Sequence, residues 1–253
     1  MTPVMTASAR NELAPNGRLR VGLNYANFLL VSTRAPNPTG VAPDLGRELA
    51  RRAGAQVEFV GYANAGLVAD AGGRDEWDVT FIADEPARAN EITFTRAYVE
   101  IEATFAVPEA SSIRAIGDVD RPGVRIASAA RAAYTLYLQR TLRHATVTEV
   151  EGPAGTAAGF STAGFDVLAN LKPRLLSEVP ATPGVRMLDG RFTAVQQSMA
   201  IRKSRPAGAA YLAEFVEDVT HSGLLQGLID KYSAHGLVVV PRSEEHTSEL
   251  QSH

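Results

Sequence analysis

Cysteine is absent from the 253-residue chain, which excludes disulfides, thiolate metal sites and cysteine nucleophiles. Lysine is scarce: only Lys172, Lys203 and Lys231 occur among 25 basic residues, and the other 22 are arginine. No apolar run reaches the ~18 residues that a membrane-spanning helix needs. The formal net charge is −3, without the basic excess of a nucleic-acid surface, so nucleic acid is not an expected partner. There is no Gly-x-Ser-x-Gly elbow and no Asp-x-Asp-x-Asp-Gly calcium loop. His144, His221 and His235 stand apart, without the i, i+4 pairing of zinc ligands. Asp118-Val-Asp120 reads as a solvated loop before it reads as a metal site. No catalytic set, metal site or cofactor site is legible.

What is present describes an ordinary globular chain, 45% hydrophobic and 21% charged. Its length admits one large domain or two smaller ones. Residues 1–17 do not read as a secretory leader, because Arg10, Asn11 and Glu12 interrupt the only candidate stretch; the segment is expected to be disordered. The last twelve residues, Arg242 to His253, lack apolar periodicity and look like the in-frame translation of a sequencing adapter. Residues 241–253 are therefore set aside as a non-native tail.

Between these ends, strands alternate with helices. Strands are expected over residues 18–23, a short extended piece at Phe28–Val31, then 57–60, 77–82, 105–107, 124–127, 147–150, 165–169, 185–188 and 197–201. Pro43-Asp44 opens a helix that buries Leu45, Leu49 and Ala53 and ends at Gly54. Further helices are expected near 132–142, from Pro206, and after the break at Gly223. Gly152–Gly164 reads as a small-residue helix start, not a phosphate loop. The pattern implies α/β architecture with mostly parallel sheets, and too many strands for one tidy sheet.

Three segments in order carry more information. Gly40-Val-Ala-Pro-Asp-Leu opens the first helix, Trp77-Asp78-Val79 opens a strand, and Arg88 precedes Phe94-Thr95-Arg-Ala-Tyr98. Together they resemble family 3 of the extracellular solute-binding proteins, the polar amino-acid receptors of ABC importers. Val41 departs from the aromatic residue usual there. The resemblance covers roughly residues 18–240 and implies a two-lobed α/β fold, the type 2 periplasmic-binding-protein or Venus-flytrap fold. Lobe 1 would comprise 18–104 and 196–240, and lobe 2 would comprise 105–195.

The resemblance also implies a site. Arg88 takes the place of the arginine that forks onto a ligand carboxylate; the bland alternative is a surface arginine paired with Glu85 or Glu91. Asn24, Asn27 and Phe28 fall where the family places cleft residues and an aromatic wall. Ile82, Ala83 and Asp84 replace a hydroxyl-rich stretch, and Asp84 could pair with Arg88 in the empty state or bind a cationic group. On lobe 2, Ser128-Ala-Ala130-Arg131 stands where a helix start grips the carboxylate. Leu171, flanked by Asn170 and Lys172, occupies the position of the aspartate that holds the α-ammonium. A buried ammonium without a counter-charge is costly, so within the expected class, an amino acid or related organic acid, the two arginines Arg88 and Arg131, Lys172 and the helix start fit an acid lacking the amine, such as a dicarboxylate.

The expected partners are a small carboxylate and, by resemblance, a membrane permease, with the receptor a monomer. The resemblance places the protein in the periplasm; the missing leader leaves the cytoplasm open. Two alternatives remain: an enzyme resembling cyclohexadienyl dehydratase, which would need a general acid near Leu171, and a cytosolic or fused sensory module.

Overall fold

A computed structural model describes residues 3–241 of the chain; the adapter-like reading of 242–253 falls outside these residues. Ten strands form one hydrogen-bonded sheet. Strands β1 (Arg18–Asn24), β2 (Gln56–Tyr62) and β3 (Val79–Ala83) run parallel at one side, in the order β2-β1-β3. Strands β5 (Arg125–Ala129), β6 (Thr146–Val150) and β7 (Val167–Leu171) run parallel at the other, in the order β7-β5-β6. Between them lie β4 (Ile92–Pro108) and β9 (Thr193–Arg202), both antiparallel to their neighbours. The short β8 (Val185–Met187) and β10 (Val238–Val239) also pair with β4.

Each half thus keeps a parallel set of three strands, flanked by helices as expected, while the antiparallel β4 and β9 make the whole sheet mixed and continuous where separate sheets were expected. The reason is the length of β4. Seventeen residues at about 3.3 Å each let one strand serve two halves. Its first part pairs with β9 from Ile92↔Arg202 to Ala103↔Thr193, and its last part takes β7 and β8 as partners.

Each half has its own core. In the first, β1 and β3 pack on α2 (Val41–Ala53), α6 (Pro206–His221) and α7 (Leu224–Lys231) through Leu19, Val21, Leu45, Leu49, Phe81, Leu212, Phe215 and Leu225. In the second, Phe105, Ile126 and Val167 pack on Leu138 of α4 (Ala133–Thr141). On the opposite face of the first half, α3 (Ala65–Gly72) covers Trp77. The Trp77 indole N–H donates to the Val68 carbonyl at 2.8 Å; a Cβ at Gly72 would lie 2.8 Å from the ring and collide with it, and one at Gly22 would crowd it at 3.1 Å. Gly40 has φ 133°, and a Cβ there would lie 2.5 Å from the Leu30 carbonyl oxygen, so the turn into α2 requires glycine.

Three sequence expectations need correction. Phe28–Val31 is a turn, because the Asn27 carbonyl accepts from the Leu30 and Val31 amides. Gly152–Gly164 forms a single 3₁₀ turn and further turns, not a helix. The N-terminal segment is ordered: α1 (Ala7–Leu13) is capped by the Thr6 hydroxyl and buries Ala9 and Leu13. Its Glu12 carboxylate accepts from the Gly208 amide at 2.7 Å, and the Glu12 carbonyl accepts from Arg205 at 2.7 Å. Glu12 therefore caps the first turn of α6, whose own N-cap residue, Arg205, makes no side-chain cap. Glu12→Ala is expected to cost about 1–2 kcal/mol, read as a lower urea midpoint at unchanged slope.

Candidate functional site

The site forms where the two halves meet. After β3, the 3₁₀ turn Pro86–Arg88 reverses the chain, held by the Arg88 amide on the Glu85 carbonyl at 2.8 Å. This turn buries the Arg88 side chain, leaving the residue 8% exposed. Its Nη1 donates to the Ala83 carbonyl and its Nη2 to the Arg131 carbonyl, both at 3.0 Å. Neither acceptor is charged, and no carboxylate lies within ion-pair distance among the described residues. Desolvation pushes the Arg88 guanidinium down to about 10, against the opposing pull of the nearby Glu85 charge. It stays protonated at neutral pH. Arg88 is thus neither a surface arginine paired with Glu85 or Glu91 nor the partner of Asp84. Glu85 is taken instead by Arg140 of α4 at 2.6 Å.

Arg131 faces it from the second half. This residue adopts a positive φ of 56°, which turns its carbonyl onto Arg88. Its guanidinium forks onto Asp70 of α3 at 2.8 and 2.7 Å. Asp70 is held below the usual carboxylate range by that contact. Lys172, at the start of α5 (Lys172–Glu178), is likewise taken, donating to Glu102 at 2.6 Å. Both cations that favoured a dicarboxylate ligand are therefore already neutralised by the protein.

The halves also touch through an apolar cluster. Ala83 of β3 and Val195 of β9 meet Ala133 and Tyr134 of α4, with Leu171 packed against them. The Tyr134 hydroxyl donates to Asn170 Oδ1 at 3.3 Å, and that oxygen also accepts the Leu171 amide at 2.8 Å. Ala130 lies in the loop before α4, its amide on the Val150 carbonyl. Across the interface, the Arg174 guanidinium sits 5.7 Å from the Phe28 ring centroid. Phe28 is 38% exposed and so belongs to no core.

The structure brings Arg88, Ala130, Arg131, Asn170 and Leu171 to this junction, and Asp84 follows Ala83 at the end of β3. Asn24 turns its side chain back on the Ala26 amide. Ile82 is buried with Trp77, Val68 and Ile92, on the face away from the junction. Beside Arg88 and Arg131, a groove of about 480 Å³ opens onto α3, bounded by Gly66, Asp70 and Glu91. Asp70 escaped the sequence reading, and so did the pairing of Glu85 with Arg140. Helix α3 went unseen too, although Asn64, whose side chain accepts the Leu67 amide, is an N-cap signal ahead of it.

A comparison with curated protein sequences gives no match. Comparison with solved structures gives extensive likeness. An ancestral amino acid-binding protein, a precursor of cyclohexadienyl dehydratase, aligns with TM-score 0.71 at 22% identity, covering 89% of this chain and 99% of its own. The amino acid ABC transporter substrate-binding protein AbpA from Streptococcus pneumoniae, bound to L-arginine, aligns with TM-score 0.70 at 14% identity, covering 86% and 95%. A variant of ArgBP from T. maritima aligns with TM-score 0.69 at 19% identity, covering 90% and 100%. At such identities the likeness establishes the fold, that of the type 2 periplasmic binding proteins. The model of one sequence family matches residues 19–235. By that match the chain belongs to the bacterial extracellular solute-binding proteins, family 3.

Proposed function

We propose that this chain is the substrate-binding component of an ABC importer and captures a small carboxylate-bearing solute between its two halves. Arg88 carries the reading. A buried guanidinium held only by neutral carbonyls is a cation awaiting an anion, and a carboxylate fits its planar fork. Strands β4 and β9 are the connections about which the halves would open and close. Arg131–Asp70 and Arg140–Glu85 would then be contacts that form on closure. The partner would be a membrane permease recognising the closed form, outside the cytoplasm.

A thermal-shift screen against amino acids and their deaminated counterparts tests the proposal. A ligand at about 100 times its dissociation constant should stabilise the fold by about 2.7 kcal/mol. No shift with any carboxylate would contradict the proposal. The likeness to a dehydratase precursor supplies a second reading. Against it stands Leu171, an apolar side chain packed on Ala103 and Tyr134 where a general acid would be needed. Turnover of a cyclohexadienyl acid by the wild type, absent in Arg88→Ala, would favour that reading.

A further inference from the structure

Helix α4 belongs to the second half, and both of its ends are tied to the first. Ahead of its N-terminus, the Arg131 guanidinium forks onto Asp70 of α3 at 2.8 and 2.7 Å. In its last turn, Arg140 donates to Glu85, just before the Pro86–Arg88 turn, at 2.6 Å. Between these points, Ala133 and Tyr134 pack on Ala83 and Val195. The helix is nine residues long, roughly 13 Å, so the halves are pinned at two separate places.

Exposed ion pairs contribute little unless their geometry is two-pronged or their surroundings are dry. Arg131–Asp70 is two-pronged, and the Glu85 side chain is only 9% exposed. Helix α3 is shaped to receive the Arg131 arm. Gly66 lies one turn before Asp70, on the same face, and is buried; a Cβ there would stand 2.3 Å from Arg131 Nε. Arg131 itself holds a φ of 56°, a conformation that residues with side chains keep only where their surroundings enforce it. The first half engages it twice, through the Asp70 carboxylate and through Arg88 Nη2, which donates to its carbonyl at 3.0 Å. Each of these contacts joins protein to protein, so none requires a ligand as a bridge.

We propose that Arg131–Asp70 and Arg140–Glu85 form a latch that holds the two halves closed without ligand, with Gly66 as the seat of the Arg131 arm. The ligand-free protein then rests closed, and solute enters when the latch breaks. The inference goes beyond the carboxylate reading of Arg88: it uses the hinge at β4 and β9 and none of the ligand chemistry.

The absence of cysteine allows two to be introduced for nitroxide labels. Ala63→Cys follows β2 and Glu151→Cys follows β6, both exposed and at opposite ends of the strand order, where opening of the hinge separates them. Pulsed electron paramagnetic resonance reads the distance between the labels in the full chain, dialysed free of solute. The labelled protein should give one short distance, and adding Asp70→Asn with Arg140→Gln should shift it to a longer, broader distribution. Gly66→Ala with Arg140→Gln should give the same shift with Asp70 intact. Alanine is the better helix former, so that variant leaves α3 no weaker, and melting temperatures confirm that each variant is folded. If either variant keeps the distance of the labelled protein, the inference fails, while the Arg88 reading, tested by titration, is untouched. A long distance in the labelled protein that shortens only when L-arginine is added would also overturn it, because the halves would then rest open.

Discussion

Asp78→Ala is expected to destabilise the protein by about 3–5 kcal/mol, the usual cost of removing one partner from a buried ion pair. Asp78 is fully buried. Its carboxylate accepts from the Arg20 amide at 2.8 Å, Arg20 Nε at 3.0 Å, Arg20 Nη2 at 2.8 Å and Arg205 Nη1 at 2.7 Å. These contacts tie β1 to the start of β3 and to the entry of α6. Without the carboxylate, two partly buried arginines lose their main counter-charge. Asp75 would retain part of the network, through Arg20 at 2.7 Å and Arg202 at 2.5 Å, and holds the loss within that range. Urea unfolding at neutral pH reads the effect as a large fall in midpoint at unchanged slope. A loss below about 1 kcal/mol, the level of an exposed pair, would contradict this account of the Trp77-Asp78 motif. Since Asp78 belongs to the fold, the folded fraction should bind ligand as the wild type does.

Arg88→Ala should behave in the opposite way. Truncating one partner of a buried charged contact costs about 2–5 kcal/mol of binding, on the order of a 30- to 4000-fold loss of affinity. Stability should change little. The empty protein already bears the desolvation of this guanidinium, enough to push it down to about 10, with only two neutral carbonyls in return. Arg88→Lys should not restore affinity, because an ammonium lacks the planar fork. Calorimetry and thermal melts on the same samples separate the two effects. An Arg88→Ala protein that melts far lower yet still binds would mark Arg88 as a structural residue.

Much of the fold was legible because it is written in local signals. Leu45, Leu49 and Ala53 repeat at helical spacing and are buried, and Gly54 ends α2 at φ 62°. Pro206 and Gly223 bound α6 as their backbone chemistry demands. Long-range pairing was not legible. Nothing local in residues 92–108 says that one strand will take partners from both halves, so Phe105–Val107 read as a separate strand. The order of α1 was hidden for the same reason: seven residues are too few to hold as a helix alone, and the docking of Glu12 on Gly208 spans 196 positions. At the candidate site, the flanking motif singled out Arg88, which the structure buries at the junction. The neutralisation of Arg131 by Asp70 was not legible, since the pair is 61 residues apart and crosses between halves. That contact, with Lys172–Glu102, occupies two of the cations on which the dicarboxylate expectation rested.

The central claim is that the junction captures a carboxylate through Arg88. It is tested most directly by titrating the wild type, in a calorimeter, with L-arginine and with its methyl ester, which keeps the amine and guanidinium but lacks the carboxylate. The account predicts saturable binding of the free acid, loss of binding with the ester, and loss of binding of the acid in Arg88→Ala. Equal binding of acid and ester, unaffected by Arg88→Ala, would contradict it.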